Sequence, residues 1–298
     1  MGKLVGILGV LAILVACSSV ADGDSIDLDE VASSGSVVKS SSSGNLSSSS
    51  QSESDSLTRD STSRLDSMIV MVRIPASKLN RGGVVFDVDS FDISRTEVTQ
   101  SLYESVMGTL PKMDKAGADL PVANVNWYDA VLFCNAISKI AGLDTAYVYE
   151  EVGDSRYLKN LTIDYSVEAV RLPTEAEWEV AYRAGTTTKY YWGKEVASEY
   201  AYYAQTSGPV KVGQYKANGY GLYDMGGNVA EWVNDWFGPR PTKPQTNYTG
   251  AREGSARVIR GGGWSDVVKV LAADSTVKKD PLYQSEKLGL RLVHSVGF

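Results

Sequence analysis

The stretch Asn218-Gly-Tyr-Gly-Leu-Tyr-Asp-Met-Gly-Gly-Asn-Val-Ala-Glu-Trp232 decides the fold of this chain. Its glycines are scattered among aromatic and apolar residues with neither helical nor strand periodicity, which indicates an irregular loop. From Gly185 onward the chain stays rich in Gly, Tyr and Trp. This pattern favours an irregular, loop-rich fold over a regular helical bundle or a doubly wound sheet.

Upstream of this stretch the sequence predicts two strands, over residues 68–74 and 84–93, and three short helices. The helices are expected to bury apolar residues on one face, and several start and stop residues mark their ends. The first runs from Thr99 to Gly108 and buries Leu102 and Val106; the second follows Asn126 and Asp129, ends before Gly142 and buries Ala130, Phe133, Cys134, Ile137 and Ile140; the third starts with the capping pair Thr174 and Glu177, ends at Gly185 and buries Trp178, Ala181 and Tyr182.

The N-terminus has the organisation of an export signal. Lys3 precedes the apolar run Leu4–Ala16, which is shorter than the roughly 20 residues that a membrane-spanning helix needs. The run ends in Leu14-Val15-Ala16-Cys17, which resembles the lipobox of bacterial lipoproteins. That resemblance implies a signal peptide over residues 1–16, acylation of Cys17 and a lipid anchor in the cell envelope. Ser18 after the cysteine favours the outer membrane, on its periplasmic or surface face.

Composition and charge separate a tether from a domain. Residues 33–56 are mostly serine with almost no large apolar side chain, so residues 17–67 are predicted to form a disordered tether. The 9 acidic and 4 basic residues before Met68 account for −5 of the total charge of −7, which leaves −2 for residues 68–298. The near-neutral segment 68–298 is predicted to be one domain and gives no electrostatic reason to expect a nucleic-acid partner.

Seven short motifs follow one another in this domain. They resemble, in the same order, those of the formylglycine-generating enzyme family, also called the sulfatase-modifying-factor domain. The resemblance implies an α+β domain with a modified C-type-lectin-like fold, loop-rich with short helices and small antiparallel sheets. The motifs are Thr96-Glu-Val-Thr99, Pro121-Val122 with Asn126-Trp-Tyr-Asp-Ala130, Arg171-Leu-Pro-Thr-Glu-Ala-Glu-Trp-Glu179, Trp192-Gly193, the opening stretch 218–232, Arg260-Gly-Gly-Gly-Trp264 and Leu288-Gly-Leu-Arg291.

Members of this family that make formylglycine oxidise a sulfatase cysteine with O₂ and a copper ion held by two thiolates, shortly after the Arg-Gly-Gly-x-Trp motif. Here residues 265–274 contain no cysteine, and the whole chain has only Cys17 and Cys134. Copper is therefore not expected, and Cys134 is either a small buried residue or a lone reactive thiol. A second branch of the superfamily holds iron with three histidines, but this chain has only His294.

The resemblance also implies a structural calcium site in the Gly-Asn-x-x-Glu-Trp motif. Asn228 and Glu231 match it, and Gly226, Gly227 and Val229 can lend carbonyl oxygens, which are ligands that Ca²⁺ favours. The alternative is that Asn228 caps a turn and Glu231 pairs with an arginine.

The remaining motif residues are expected to be structural. Arginine side chains can satisfy loop carbonyls in a core with little regular structure, and tryptophans fill it. A dense run of aromatic residues in a predicted loop region either packs in the core or forms a surface on which peptides or glycans stack. The arginines are Arg171, Arg260 and Arg291, the tryptophans Trp127, Trp178, Trp232 and Trp264, and the aromatic run Tyr190, Tyr191, Trp192, Tyr200, Tyr202 and Tyr203.

Three functions remain open, because a fold does not settle function. The favoured one is a non-oxidase binding or assembly module of the envelope, with an envelope protein or a glycan as partner. The others are an active sulfatase-modifying oxidase and an enzyme that uses other groups in the same cleft.

Overall fold

The computed structural model describes residues 60–61, 63–195 and 197–298. The predicted signal peptide, Cys17 and the tether up to residue 59 lie outside the described residues. No helix in the described part of the chain is long and apolar enough to cross a membrane.

The three predicted helices form, and their caps are the predicted ones at five of six ends. They are α1 (Gln100–Met107), α2 (Trp127–Ala141) and α3 (Glu175–Arg183). Thr99 caps α1, Asn126 and Asp129 form a capping box on α2, and Thr174 and Glu177 form one on α3. Gly108 and Gly142 end the first two helices in the left-handed conformation that glycine adopts readily.

Two details of the helices differ from the prediction. The third helix ends at Ala184, whose φ of 44° is left-handed, one residue before Gly185. Ile140 was expected to face inward but is 36% exposed, because it lies in the last turn of α2 next to the exposed Lys139.

The strands are short and number fifteen in the described residues. The predicted strand 68–74 is shorter than expected, and the predicted strand 84–93 divides at residues 89 and 90. The strands are β1 (Met71–Ile74), β2 (Ser77–Arg81), β3 (Val84–Val88), β4 (Phe91–Ser94), β5 (Tyr147–Val148), β6 (Glu151–Val152), β7 (Leu158–Lys159), β8 (Thr162–Ile163), β9 (Ala169–Arg171), β10 (Ala230–Trp236), β11 (Gln245–Thr246), β12 (Arg257–Arg260), β13 (Val277–Lys279), β14 (Leu288–Leu290) and β15 (Val293–Ser295).

Two four-stranded sheets and one three-stranded sheet carry most of these strands. The first has the order β1-β4-β15-β9 and is antiparallel throughout. The second has the order β13-β12-β10-β14, and its β10–β14 pair is parallel. The third has the order β11-β3-β2, with β11 parallel to β3. The sheets are thus small and mainly antiparallel, as predicted, and they join strands far apart in the chain.

Buried aromatic side chains join these sheets to the helices in two clusters. Trp127, Trp178 and Trp232 are fully buried, as predicted for the tryptophans. The indole Nε1 of Trp127 donates to the Val233 carbonyl at 3.0 Å. Trp264 is only half-buried, and its indole Nε1 donates to the Glu286 carbonyl at 3.1 Å.

Helical structure extends to the N-terminal side of Met68. Residues 60–61 and 63–68 are helical, and Leu65 is buried in the same cluster as α2. The last residues of the predicted tether therefore belong to the folded part, because one apolar side chain there reaches the core.

Candidate functional site

A cleft opens beside the Arg-Gly-Gly-Gly-Trp motif, where the resemblance places the chemistry of the family. Its cavity measures about 280 Å³. Its walls come from the end of β12, the edge strand β13 and the segment 280–288. They include Arg260, Gly261, Gly262, Asp266, Val270, Ser275, Val277, Lys279, Tyr283, Ser285, Lys287 and Leu288.

Arg260 fixes one wall of the cleft. Its fully buried guanidinium donates to Glu175 at 2.7 Å and to the Thr276 hydroxyl at 2.9 Å, and it also donates to the Ala273 carbonyl. Burial alone would raise the pKa of Glu175, but Arg260 and Arg81 lower it to about 2. A charged network therefore attaches loop 273–276 to helix α3, as expected for a structural arginine.

Gly263 lets the opposite wall approach. A Cβ atom at this position would lie 2.7 Å from the Cβ of Lys287 and 2.8 Å from its carbonyl oxygen. The ammonium of Lys287 contacts the Asp266 carboxylate, which also accepts from the Gly263 amide at 2.9 Å. The glycine run is thus required where two backbone segments touch.

The accessible part of the cleft combines a cation with apolar surface. The Lys279 Nζ lies 4.3 Å above the Tyr283 ring and has no carboxylate within 4.0 Å among the described residues. Val277 and Tyr283 are 37% and 36% exposed. Val277 and Lys279 belong to β13, which lies at the edge of its sheet.

Neither cysteine nor histidine lines this cleft. Cys134 is fully buried in α2, and burial raises the pKa of its thiol. It therefore behaves as a small buried residue rather than as a reactive thiol. A copper ion that needs two thiolates does not fit the residues present. His294 is buried in β15, where Nε2 lies 3.2 Å from Glu168, and no group of three or more metal-ligating side chains occurs in the described residues.

The side chains of the predicted calcium motif are occupied by protein partners. Glu231 binds Arg291 through contacts of 2.9–3.1 Å and accepts from the Trp178 indole at 2.6 Å. Asn228 Oδ1 accepts from the Val210 amide at 3.0 Å. The Glu231 carboxylate faces a buried guanidinium, which disfavours a calcium ion beside it, and the carbonyls of Gly227 and Val229 as calcium ligands stay a prediction. The contact with Arg291 is the alternative in which Glu231 pairs with an arginine.

The same motif depends on a residue for which the sequence suggested no role. Glu97 is fully buried and accepts from Asn228 Nδ2 at 2.6 Å and from the Val229 amide at 2.9 Å. Burial and the nearby carboxylates of Asp224 and Glu231 raise its pKa well above the usual value. Glu97 lies in the motif Thr96–Thr99, which was a sign of a specific role. Its partner Asn228 is 131 residues away in the chain, so the sequence did not identify the contact.

The aromatic run packs mainly in the core, so its prediction as a ligand surface is wrong for two members. Tyr191 and Trp192 are buried, because Tyr191 packs edge-on against both Tyr182 and Trp192. The other four members of the run are half-buried rather than fully exposed: Tyr190, Tyr200, Tyr202 and Tyr203.

Comparison with known proteins supports the family that the motifs indicated. A family model described as the sulfatase-modifying factor enzyme 1-like domain matches residues 71–296. Chaperone protein LppX of Paenibacillus barcinonensis is 32% identical over 237 residues, which is 70% of this chain and 81% of that protein. The formylglycine-generating enzyme of Streptomyces coelicolor is 37% identical over 114 residues, which is 32% of this chain and only 36% of the enzyme.

A solved structure is similar over most of the chain. Treponema denticola variable protein 1 is 32% identical, with a TM-score of 0.67 over 75% of this chain and 94% of that one. This likeness confirms the predicted α+β architecture, the modified C-type-lectin-like fold that the motifs implied.

Proposed function

The chain belongs to the sulfatase-modifying factor enzyme 1-like family, and on that premise we propose that it is a binding module of the bacterial cell envelope rather than an oxidase. We propose further that it binds an extended segment of another envelope protein in the cleft beside Arg260. The observation that carries this proposal is the cleft itself, which lies where the family's chemistry is expected but is lined by groups that bind rather than oxidise.

The lining groups suit a polypeptide that has both acidic and apolar side chains. Lys279 offers a cation that pairs with no carboxylate in the described residues, Tyr283 and Val277 offer exposed apolar surface, and Ser275 and Ser285 add hydroxyls. An extended peptide can also add to the free edge of a sheet, where backbone hydrogen bonds give affinity and alternate side chains give specificity. Strand β13 lies at such an edge and sends Val277 and Lys279 into the cleft.

A chaperone-like role agrees with the relative named chaperone protein LppX, which aligns over most of its length. Anchoring through an acylated Cys17 would hold the cleft in the envelope, close to newly exported chains. In membrane fractionation, Cys17→Ser should move the protein from the membrane to the soluble fraction. Unchanged membrane association of that variant would contradict the anchor.

The cleft is tested with two labelled peptides added to the purified full-length protein in detergent. One alternates Leu and Glu, and the other alternates Leu and Lys. We expect the acidic peptide to bind more tightly, and Lys279→Glu to weaken it by about tenfold, because a charge-assisted contact contributes about 1.5–3 kcal/mol.

Lys278→Glu is the matched control in the same strand. Its Nζ lies 4.4 Å above the Phe237 ring, and Lys278 does not line the cleft. Equal effects of the two variants would show that only overall charge matters. Conversion of a cysteine-containing sulfatase peptide to formylglycine by the copper-loaded protein would overturn the non-oxidase proposal.

A further inference from the structure

A second and larger cavity lies on the other side of the segment that walls the cleft. Along residues 282–287 the side chains alternate: Tyr283, Ser285 and Lys287 line the cleft, whereas Leu282 and Gln284 line the second cavity. One segment thus lines both cavities with different side chains. The second cavity measures about 470 Å³, which lies in the range of about 300–1,000 Å³ that small-molecule sites occupy.

We propose that this cavity is a binding site for a saccharide. The site is distinct from the cleft and goes beyond the proposed function, which does not use it. Hydroxyl, amide, carboxylate, ammonium and guanidinium side chains line it together with a few apolar ones: Tyr103, Thr109, Leu110, Pro111, Lys112, Asn124, Asn126, Asp129, Arg156, Leu282 and Gln284.

The polar groups of the cavity are held in place by the protein. Gln284 Nε2 donates to the Asn124 carbonyl at 3.0 Å and lies 3.4 Å from Asp129. Asn124 Nδ2 donates to the Lys112 carbonyl at 2.7 Å. The amide oxygens of Asn124 and Gln284 accept no hydrogen bond from the described part of the chain. Two oriented acceptors therefore face a cavity whose walls are already fixed, which lowers the ordering cost of binding.

A carboxylate and a guanidinium also line the cavity. Asp129 Oδ1 lies 3.3 Å from Arg156 Nη1, and the Arg156 side chain is 42% exposed. Arginine supplies several fixed donors, and a carboxylate accepts up to four hydrogen bonds. Adjacent hydroxyls of a sugar ring donate and accept at once, so fixed amide, carboxylate and guanidinium groups match them.

Apolar surface is available for the C–H face of a sugar ring. Leu110, Pro111 and Leu282 line the cavity.

The charge balance selects a saccharide over an ion. Two cations, Lys112 and Arg156, stand against the single carboxylate Asp129, and Arg156 is paired with it. One carboxylate is too few to hold a divalent cation. The one remaining, exposed lysine is a weak match for a phosphate, which is usually bound by several donors. A largely neutral, hydroxyl-rich ligand fits this balance.

The test uses the full-length protein purified in detergent and three probes: glucose, N-acetylglucosamine and glucuronic acid. Ligand-observed NMR titration should give saturable binding of at least one probe. Gln284→Ala should weaken that binding about five- to tenfold, as expected for losing one or two hydrogen bonds. Arg156→Gly should do the same, and glycine accommodates the φ of 60° at this position.

Gln245→Ala is the matched control, because the Gln245 amide also donates to backbone carbonyls but lies on β11, away from the cavity. Circular dichroism verifies that each variant is folded. Three outcomes would overturn the proposal: no saturable binding of any probe, binding that Gln284→Ala and Arg156→Gly leave unchanged, or binding that inorganic phosphate displaces completely. Acidic-peptide binding to the cleft should be unaffected by these variants, so the two proposals fail separately.

Discussion

Arg291 and Glu231 form an ion pair with virtually no solvent exposure, in which the Arg291 Nη2 lies 2.9 Å and its Nε 3.0 Å from Glu231 Oε1. The remaining donors of the guanidinium bind the carbonyls of Ser94 and Tyr223 at 2.8 and 2.7 Å. The pair joins the last motif of the chain to the motif 218–232, whose end forms the start of β10. It places an arginine beside Glu231, where the sequence had suggested a calcium ion.

Breaking this pair is expected to destabilise the fold strongly. Glu231→Ala leaves Arg291 charged and buried, and the loss of one partner of a buried pair typically costs about 3–5 kcal/mol. Chemical denaturation measures the free energy of unfolding. Asp119→Ala is the matched control, because Asp119 pairs with Lys211 at 3.1 Å with both side chains about two-thirds exposed. It should cost less than about 1 kcal/mol. Equal costs would contradict the structural role of the buried pair.

Calcium removal is expected to leave the melting temperature unchanged. Asn228 and Glu231 already accept hydrogen bonds from Val210, Trp178 and Arg291, so an ion gains no free side-chain oxygen at this motif. A ligand that binds only the native state would raise the melting temperature with its concentration. Calorimetry with a chelator and then with added Ca²⁺ tests this. A calcium-dependent rise that Asn228→Ala abolishes would restore the calcium site.

Asp235 is expected to make stability fall as pH rises. Its Oδ2 accepts from the Glu175 amide at 2.7 Å, whereas its buried Oδ1 has no partner in the described residues. Burial and the charge of Glu175 raise the pKa of Asp235 to about 7. Since the unfolded value is about 3.9, the native state holds a proton that the unfolded state releases between about pH 4 and 7. Native stability is therefore lost over that window as pH rises.

Asp235→Asn removes this loss and should raise the free energy of unfolding at pH 8 by about 2 kcal/mol. The difference from the wild type should shrink as pH falls towards 4. Denaturation at several pH values measures it, with the exposed Asp119→Asn as the flat control. A difference that does not depend on pH would show that Asp235 is ionised in the native state.

Cys134 is expected to be unreactive until the protein unfolds. Its side chain is fully buried in α2, and burial raises its pKa, so almost no thiolate is available at neutral pH. In the Cys17→Ser protein, iodoacetamide should modify this single thiol only in denaturant, as followed by mass spectrometry. Rapid labelling of the native protein would point instead to a reactive thiol.

Much of the local structure was predictable because its signals are local. Thr99, Asn126 and Thr174 cap helices through backbone groups only three residues away, and Gly108 and Gly142 end them by their own conformation. The division of the predicted strand 84–93 was not predictable, because β3 and β4 pair with different partners in different sheets. Apolar patterning does not identify those partners.

The sequence by itself determined the family, the loop-rich α+β architecture, five of the six helix ends and the absence of cysteine after Arg260. Only the tertiary structure decided which polar groups are free to bind. Glu231 and Arg291 are 60 residues apart in the chain, and Gln284 and Asp129 are 155 apart. Long-range packing brings such partners together. The free energy of a buried charge then depends on the groups around it in the fold rather than on its neighbours in the chain.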